Sequence, residues 1–446
     1  MHINAILDVD VAALEADDTV TVMLELEAPA APDADNNSAE LRPAHTAIVV
    51  LDRSGSMAGD RLDHAKEALL SLVDRLSDDD RFGLVTFDSQ AQVVVPAGLV
   101  GDLGRARIRH DIATVEPGGM TDLSSGYLRG LQEARRVCTE AGATIILLSD
   151  GHANTGITDP VKLASVAGKA SKQAISTSTI GIGLGYDEVI LTEMAGAGLG
   201  NHAFAEHAEA AAVAVAGEID GLLSKTVQAA SLLVTPSEDV SGVTVLNDGL
   251  PQQAVEGGIL VELGDLYAGE TRRVTVAFDV PGMPALGLAQ VADLAISYVE
   301  LATLDQHTVT VPVSVNVVPA DVARGRVPDP RVEQEKLLLS AQRSKREAEG
   351  YLRAGDIAGA ASVIGSMSAT LSSAPKSDML ADEAAWFAES MDSLTTRGAE
   401  ATSRRLSSDR MRKSRGFTGR AQGGEVQEPP ASGGASASGS PSSGAA

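Results

Sequence analysis

The sequence predicts an α/β domain, with a doubly wound and mainly parallel sheet, inserted in a β-sandwich and followed by a helical segment. Three observations predict it. Ile48-Val49-Val50-Leu51 is a continuous apolar run, as expected of a strand buried on both faces. Between residues 45 and 226 such runs alternate with helical patterns, which implies parallel strands covered by helices on both faces. On either side, at 18–28 and over 228–318, the periodicity changes to the alternation of half-exposed strands.

In residues 18–28, Val20, Val22, Leu24 and Leu26 share one face, and Thr21, Met23, Glu25 and Glu27 the other. Pro29 and Pro32 end this strand, and 30–41 reads as a polar loop. Expected strands of the α/β domain are 46–51, 82–87, 144–148 and 176–182, with a short hairpin segment at 92–95. Expected helices are 62–76, 104–112, 123–141, 160–172, 187–195 and 208–224. Asp122 before Leu123, and Asp159 before Pro160, are helix-start signals.

Over 228–318 the alternating runs are 243–246, 259–263, 273–278, 292–299 and 308–317. Asn247-Asp248-Gly249, Ala268-Gly269-Glu270 and Pro281-Gly282 are the turns between them. Five strands make a small sandwich whose edges need covering, and strand 18–28 is the expected additional partner. Residues 319–330 read as a linker. A helical hairpin is expected over 331–353 and 356–372, and a third helix over 378–406 carries the only tryptophan, Trp386. Glu347, Tyr351-Leu352, Gly355-Asp356 and Ala360-Ala361 resemble one tetratricopeptide unit, which cannot bury its own face alone. From Gly416 the chain is mostly Gly, Ser, Ala and Pro, and is expected to be disordered. The expected divisions are therefore 1–44, 45–226, 227–319, 328–408 and 409–446.

The chain has 446 residues and a formal net charge of −26. That surface repels nucleic acid and anionic membranes, so neither is an expected partner. Residues 1–41 hold ten carboxylates and no Lys or Arg, whereas 397–420 hold eight Lys or Arg. The basic segment is expected to be a solvated helix end and tail. Ser403, Ser407, Ser408, Ser414 and Thr418 lie among its arginines, and Ser414 and Thr418 are the candidate phosphosites. A phosphate there would add about −1.5 to −2 charges and offer a site to a phosphopeptide-binding protein. The single cysteine, Cys138, excludes intrachain disulfides and is expected to be a small buried apolar group. With no basic leader and no run of about 18 apolar residues, a cytoplasmic protein is expected.

Chemistry concentrates where strand 46–51 ends. Asp52, Ser54 and Ser56 put a carboxylate and two hydroxyls at alternate positions, with Gly55 allowing the turn. Oxygen donors suit a small hard cation such as Mg²⁺. Two further loops can complete the set. Thr121 follows Gly118-Gly119-Met120 at a helix start, and Asp150 ends the strand 144–148. Neighbouring parallel strands place Asp52 and Asp150 on one carboxyl edge.

Asp52-Arg53-Ser54-Gly55-Ser56, Thr121 within Gly119-Met120-Thr121-Asp122, and Ser149-Asp150-Gly151 with Asn154 and Gly156 resemble the von Willebrand factor A domain with its metal ion-dependent adhesion site. The resemblance covers 45–226, a Rossmann-like domain, and extends to bacterial proteins in which a β-sandwich wraps it. It implies a metal set of Asp52, Ser54, Ser56, Thr121 and Asp150, with the hydroxyls as direct ligands and the acids acting through water. It implies Mg²⁺, with Mn²⁺ or Ca²⁺ as alternatives, and a protein partner whose Asp or Glu supplies the last ligand. No catalytic role is then expected. An accessory subunit of an AAA+ ATPase is a further reading from the same resemblance. A metal-dependent hydrolase or phosphotransferase is the alternative, although no acid–base pair of evident spacing is present.

Other motifs are weaker. His152 is expected at the rim of the site, and His202 and His207 have the wrong spacing for a helical metal pair. Gly181-Ile182-Gly183-Leu184-Gly185 lacks the dinucleotide spacing and any P-loop lysine. Asp78-Asp79-Asp80 is expected to be a solvated turn.

Overall fold

The computed structural model of the protein describes residues 1–30, 44–183, 185–205, 214–218, 221, 223–283, 285–375, 377–414 and 417–418, without the side chains of 400, 408 and 410–418. The chain starts with β1 (His2–Leu7), β2 (Val11–Ala13) and β3 (Asp18–Glu27). β1 and β3 pair antiparallel, with Ile3 opposite Leu26.

The α/β domain follows. Its elements are β4 (Thr46–Asp52), α1 (Asp60–Arg75), β5 (Arg81–Phe87), β6 (Ala91–Leu99), α2 (Val100–Leu103), α3 (Arg105–Ala113) and α4 (Leu123–Val137). Then come β7 (Ala143–Ser149), α5 (Pro160–Ser171), β8 (Ile175–Ile182), α6 (Glu188–Ala197) and β9 (Leu199–Ala205). The sheet order is β6-β5-β4-β7-β8-β9, parallel except for β6. β4 is central and buried throughout, which is why its sequence shows no polar alternation. Its side chains still alternate between layers. Val49 and Leu51 pack with Leu62, Leu69 and Leu72 of α1, and Ile48 and Val50 pack with Tyr127 and Leu131 of α4 and Leu163 of α5. Every parallel strand therefore delivers its carboxyl end to the same edge.

β9 was not expected, because Gly200, Asn201 and His202 interrupt its apolar residues. The helix expected over 208–224 falls largely outside the described residues. The triple-aspartate turn is only partly solvated. Asp80 is fully buried and its carboxylate accepts from the backbone of His45 and Ser77, so it clamps the start of β5. Cys138 caps the end of α4 and is half-buried, short of the expected burial.

Among the described residues of 225–318 there are seven strands in place of the five expected: β10 (Lys225–Pro236), β11 (Gly242–Val245), β12 (Gln252–Val255), β13 (Gly258–Tyr267), β14 (Thr271–Val280), β15 (Gly287–Glu300) and β16 (Asp305–Val318). They form two sheets, β1-β3-β14-β11 and β12-β13-β10-β15-β16-β2. The strands before and after the α/β domain thus share both sheets, with β3 on β14 and β2 on β16. Val20, Val22, Leu24 and Leu26 of β3 enter the sandwich core. The opposite face is not solvated as expected: Met23 is buried against Ile6 and Val332.

Val332 belongs to the C-terminal helices, α7 (Ala320–Ala323), α8 (Pro330–Arg353), α9 (Ile357–Ser373), α10 (Asp378–Thr396) and α11 (Ala399–Ser414). The third expected helix is therefore two, separated at Gly398, whose φ of 88° lies in the left-handed region. α11 packs on β9, α6 and α8 rather than ending in solvent. Arg404 stacks 5.2 Å from the Tyr186 ring, and Ser407 meets Thr192 at 3.3 Å. Ser403 and Ser407 are consequently buried. The side chains of Ser414 and Thr418 lie outside the described residues, although the backbone at Phe417–Thr418 (β17) pairs with β14.

Candidate metal centre

β4 ends at Asp52, and its carboxylate is used at once to shape the turn. Asp52 Oδ1 accepts from the Ser54 backbone N–H at 2.8 Å, and Oδ2 accepts from Ser149 Oγ at 2.6 Å. Gly55 N–H donates to Gly119 O at 2.9 Å, and Gly118 N–H donates to Arg53 O. Arg53 reaches back to Asp88 at 2.8 Å. These contacts tie the β4, β5 and α4 loops together.

The hydroxyls then line up. Ser54 Oγ lies 3.1 Å from Ser56 Oγ, and Ser56 Oγ donates to Asp150 Oδ1 at 2.7 Å. Thr121 is buried and its N–H donates to Asn154 Oδ1 at 3.1 Å. Gly151 shows how close the loops come: a Cβ there would lie 3.3 Å from Thr121 Oγ1 and 3.5 Å from Ser56 Oγ. Ser54, Ser56, Thr121, Asp52 and Asp150 therefore gather from three loops at one point of the carboxyl edge.

Burial dominates the electrostatics at this point. Burial raises the Asp52 pKa from 3.8 to about 6; hydrogen bonds from Ser149 and Ser54 oppose the rise, and the charge of Asp150 adds to it. Two buried carboxylates facing three hydroxyls make an all-oxygen donor set, which fits Mg²⁺ better than a thiolate- or imidazole-seeking metal. Among the described residues no three His, Cys, Asp or Glu side chains gather into a metal group; the donors here are mainly hydroxyls.

Of the other candidates, His152 is exposed at the rim, 3.8 Å from Asp187. His202 is buried away from the site between Thr179 at 2.9 Å and Tyr186 at 3.3 Å, and His207 lies outside the described residues. Gly181 packs under the Tyr186 ring, where a Cβ would approach to 2.4 Å. That glycine serves the packing of the loop before α6 on the sheet. Sequence reasoning missed Arg61, which donates to Asp150 Oδ2 at 2.6 Å. Its only sequence signal was a basic residue in the first turn of α1.

Known proteins resemble this chain in sequence and fold. The family model for the von Willebrand factor type A domain matches residues 48–216. The Synechocystis protein sll0103 is 29% identical over 334 residues, which cover 71% of this chain and 76% of that protein. Escherichia coli YfbK is 31% identical over 38% of this chain and 30% of its own length. Human inter-alpha-trypsin inhibitor heavy chain H3 is 29% identical over 36% of this chain and 19% of its own. This chain thus spans under a third of the latter two. Among solved structures, a von Willebrand factor type A protein from Catenulispora acidiphila superposes with a TM-score of 0.66 at 17% identity, covering 88% of both chains. The ArnB paralog VWA2 from Sulfolobus acidocaldarius superposes at 0.60 and 15% identity, covering 93% of this chain and 97% of its own. Those likenesses extend the shared fold beyond the α/β sheet to the sandwich and helices. Within this chain, residues 48–216 are a von Willebrand factor type A domain.

Proposed function

We propose that the chain is a metal-dependent protein-interaction module, in which Ser54, Ser56 and Thr121 hold Mg²⁺ directly and Asp52 and Asp150 act from behind them. The observation that carries this reading is the meeting of three hydroxyls and two buried carboxylates at the carboxyl edge of the sheet. When bound, Mg²⁺ would supply an open coordination position for an Asp or Glu carboxylate of a protein partner. Asp52 holds the Ser54 turn, and Asp150 holds Ser56. Asn154 holds the Thr121 backbone.

A protein partner is favoured by the rim. Met120, next to Thr121, is 54% exposed, and Ile157, whose N–H donates to Ser124 Oγ in the first turn of α4, is 37% exposed. Exposed apolar side chains beside a polar centre are the ordinary make-up of an interaction site. The lone Cys138 leaves no intrachain disulfide to form, which favours a reducing, cytoplasmic setting. No helix among the described residues is long and apolar enough to cross a membrane.

The test is capture of partner proteins by the full chain in Mg²⁺ and in EDTA, with Mg²⁺ affinity measured by calorimetry. Capture should be lost in EDTA and in Asp52→Ala, and Ser54→Ala should weaken Mg²⁺ binding at least tenfold. Equal capture by wild type and Asp52→Ala under both conditions would sink the reading.

A further inference from the structure

Arg61 sits where local rules disfavour it. It lies in the first turn of α1, next to Asp60, and a cation there opposes the helix dipole. A residue that breaks a local rule needs a compensating contact, and Arg61 has one. Its Nη1 donates to Asp150 Oδ2 at 2.6 Å and to Ser56 O at 3.3 Å. The opposite loop leaves space for it: Gly183 has φ 70°, and a Cβ there would lie 3.2 Å from Arg61 Nη2. The Asp150 side chain is fully buried, with one oxygen on Ser56 Oγ and the other on Arg61. Arg61 itself keeps an exposed side.

We propose that Arg61 tunes the metal centre through Asp150: its guanidinium compensates the charge of that carboxylate, whose other oxygen is held by Ser56 Oγ. This inference rests on the metal-dependent reading above. Its consequence is a centre with less negative charge than two free carboxylates would give. Mg²⁺ is then held more weakly by the chain alone, and keeps more attraction for an external carboxylate. Coulomb's law gives the sign, since a fixed positive charge beside the centre repels a dication.

The experiment is calorimetric titration of the full-length protein with Mg²⁺ alone, comparing wild type, Arg61→Gln and Arg61→Lys. Arg61→Met is a second neutral variant should Arg61→Gln not fold, and circular dichroism checks each fold. With charge compensation, the neutral variants bind Mg²⁺ about tenfold more tightly than wild type. Arg61→Lys, which keeps the charge, stays within about threefold of wild type. Unchanged or weaker binding in the neutral variants overturns the inference, because an arginine that only orients Asp150 would lose affinity when removed. Tightening in Arg61→Lys equal to that in the neutral variants also overturns it. Absence of Mg²⁺ binding by wild type overturns the metal-dependent reading, and this inference with it.

Discussion

Ser149 Oγ donates to Asp52 Oδ2 at 2.6 Å across the ends of β4 and β7, and both residues are fully buried. The parallel register makes the contact, since Leu51 lies opposite Leu148 and the next residue on each strand meets its neighbour. Ser149→Ala removes the donor and leaves a buried carboxylate oxygen without it. We expect a loss of about 1–3 kcal/mol in chemical denaturation. If Asp52 backs a metal, Mg²⁺ affinity falls roughly 10- to 100-fold as well.

Much of the α/β sheet was legible because its strands are locally self-declaring. Ile48-Val49-Val50-Leu51 and Ile145-Ile146-Leu147-Leu148 are apolar without interruption, and turn residues follow each. The five oxygen-bearing residues were readable for the same reason, each standing at a strand end or helix start. Long-range contacts were not readable. Met23 looked like the outward face of an alternating strand, but it is buried with Ile6 of β1 and with Val332 of α8, some 300 residues later. Arg61 looked like any charged residue on an amphipathic helix, since its partner Asp150 is 89 positions away. Arg404 and Ser407 gave the appearance of a polar tail, because their partners Tyr186 and Thr192 lie in the loop before α6 and in α6 itself. β10 was missed because Lys225 and Gln228 blur its alternation; Lys225 is in fact buried and paired with Asp265 at 2.8 Å.

Asp52 makes the metal-free protein pH-sensitive. The folded state keeps its proton up to about pH 6, whereas the unfolded chain loses it near 3.8. Between those values the folded state binds more protons, so stability falls as pH rises, and is level above the folded value. The rise from 3.8 to about 6 corresponds to roughly 3 kcal/mol. Urea denaturation in EDTA from pH 4 to 7 should show this slope for wild type, and Asp52→Asn should lack it. An identical slope in both would show that other groups set the pH dependence.

Gly130 of α4 lies against β4. A Cβ there would come within 2.4 Å of Val50 Cγ2, on a side chain that is fully buried and β-branched. At an open helix position Gly→Ala stabilises by up to about 1 kcal/mol. Gly350 of α8, with nothing within 4 Å of its Cβ position, should follow that rule. At Gly130 the overpacking cost of about 1–3 kcal/mol exceeds the helix gain. Gly130→Ala should therefore lower the thermal midpoint and Gly350→Ala raise it. A rise in both would mean that α4 can move off the sheet freely.

Lys345 is the buried cation that joins the C-terminal helices. It is fully enclosed in α8, with Nζ 2.5 Å from Glu383 of α10, paired also with Asp409 of α11, and 3.9 Å from the centre of the Trp386 ring. Replacing one member of such a group leaves the others charged and enclosed, at a cost of about 3–5 kcal/mol. Lys345→Met keeps most of the unbranched side chain and removes the charge with its N–H donors. Trp386 is the only tryptophan, so its fluorescence reports on these helices alone. The urea midpoint of that signal should fall by the equivalent of at least about 3 kcal/mol. A shift under about 1 kcal/mol would mean that the two carboxylates find other compensation, and that α11 is held to the body of the protein by its contacts with α6 and β9 instead.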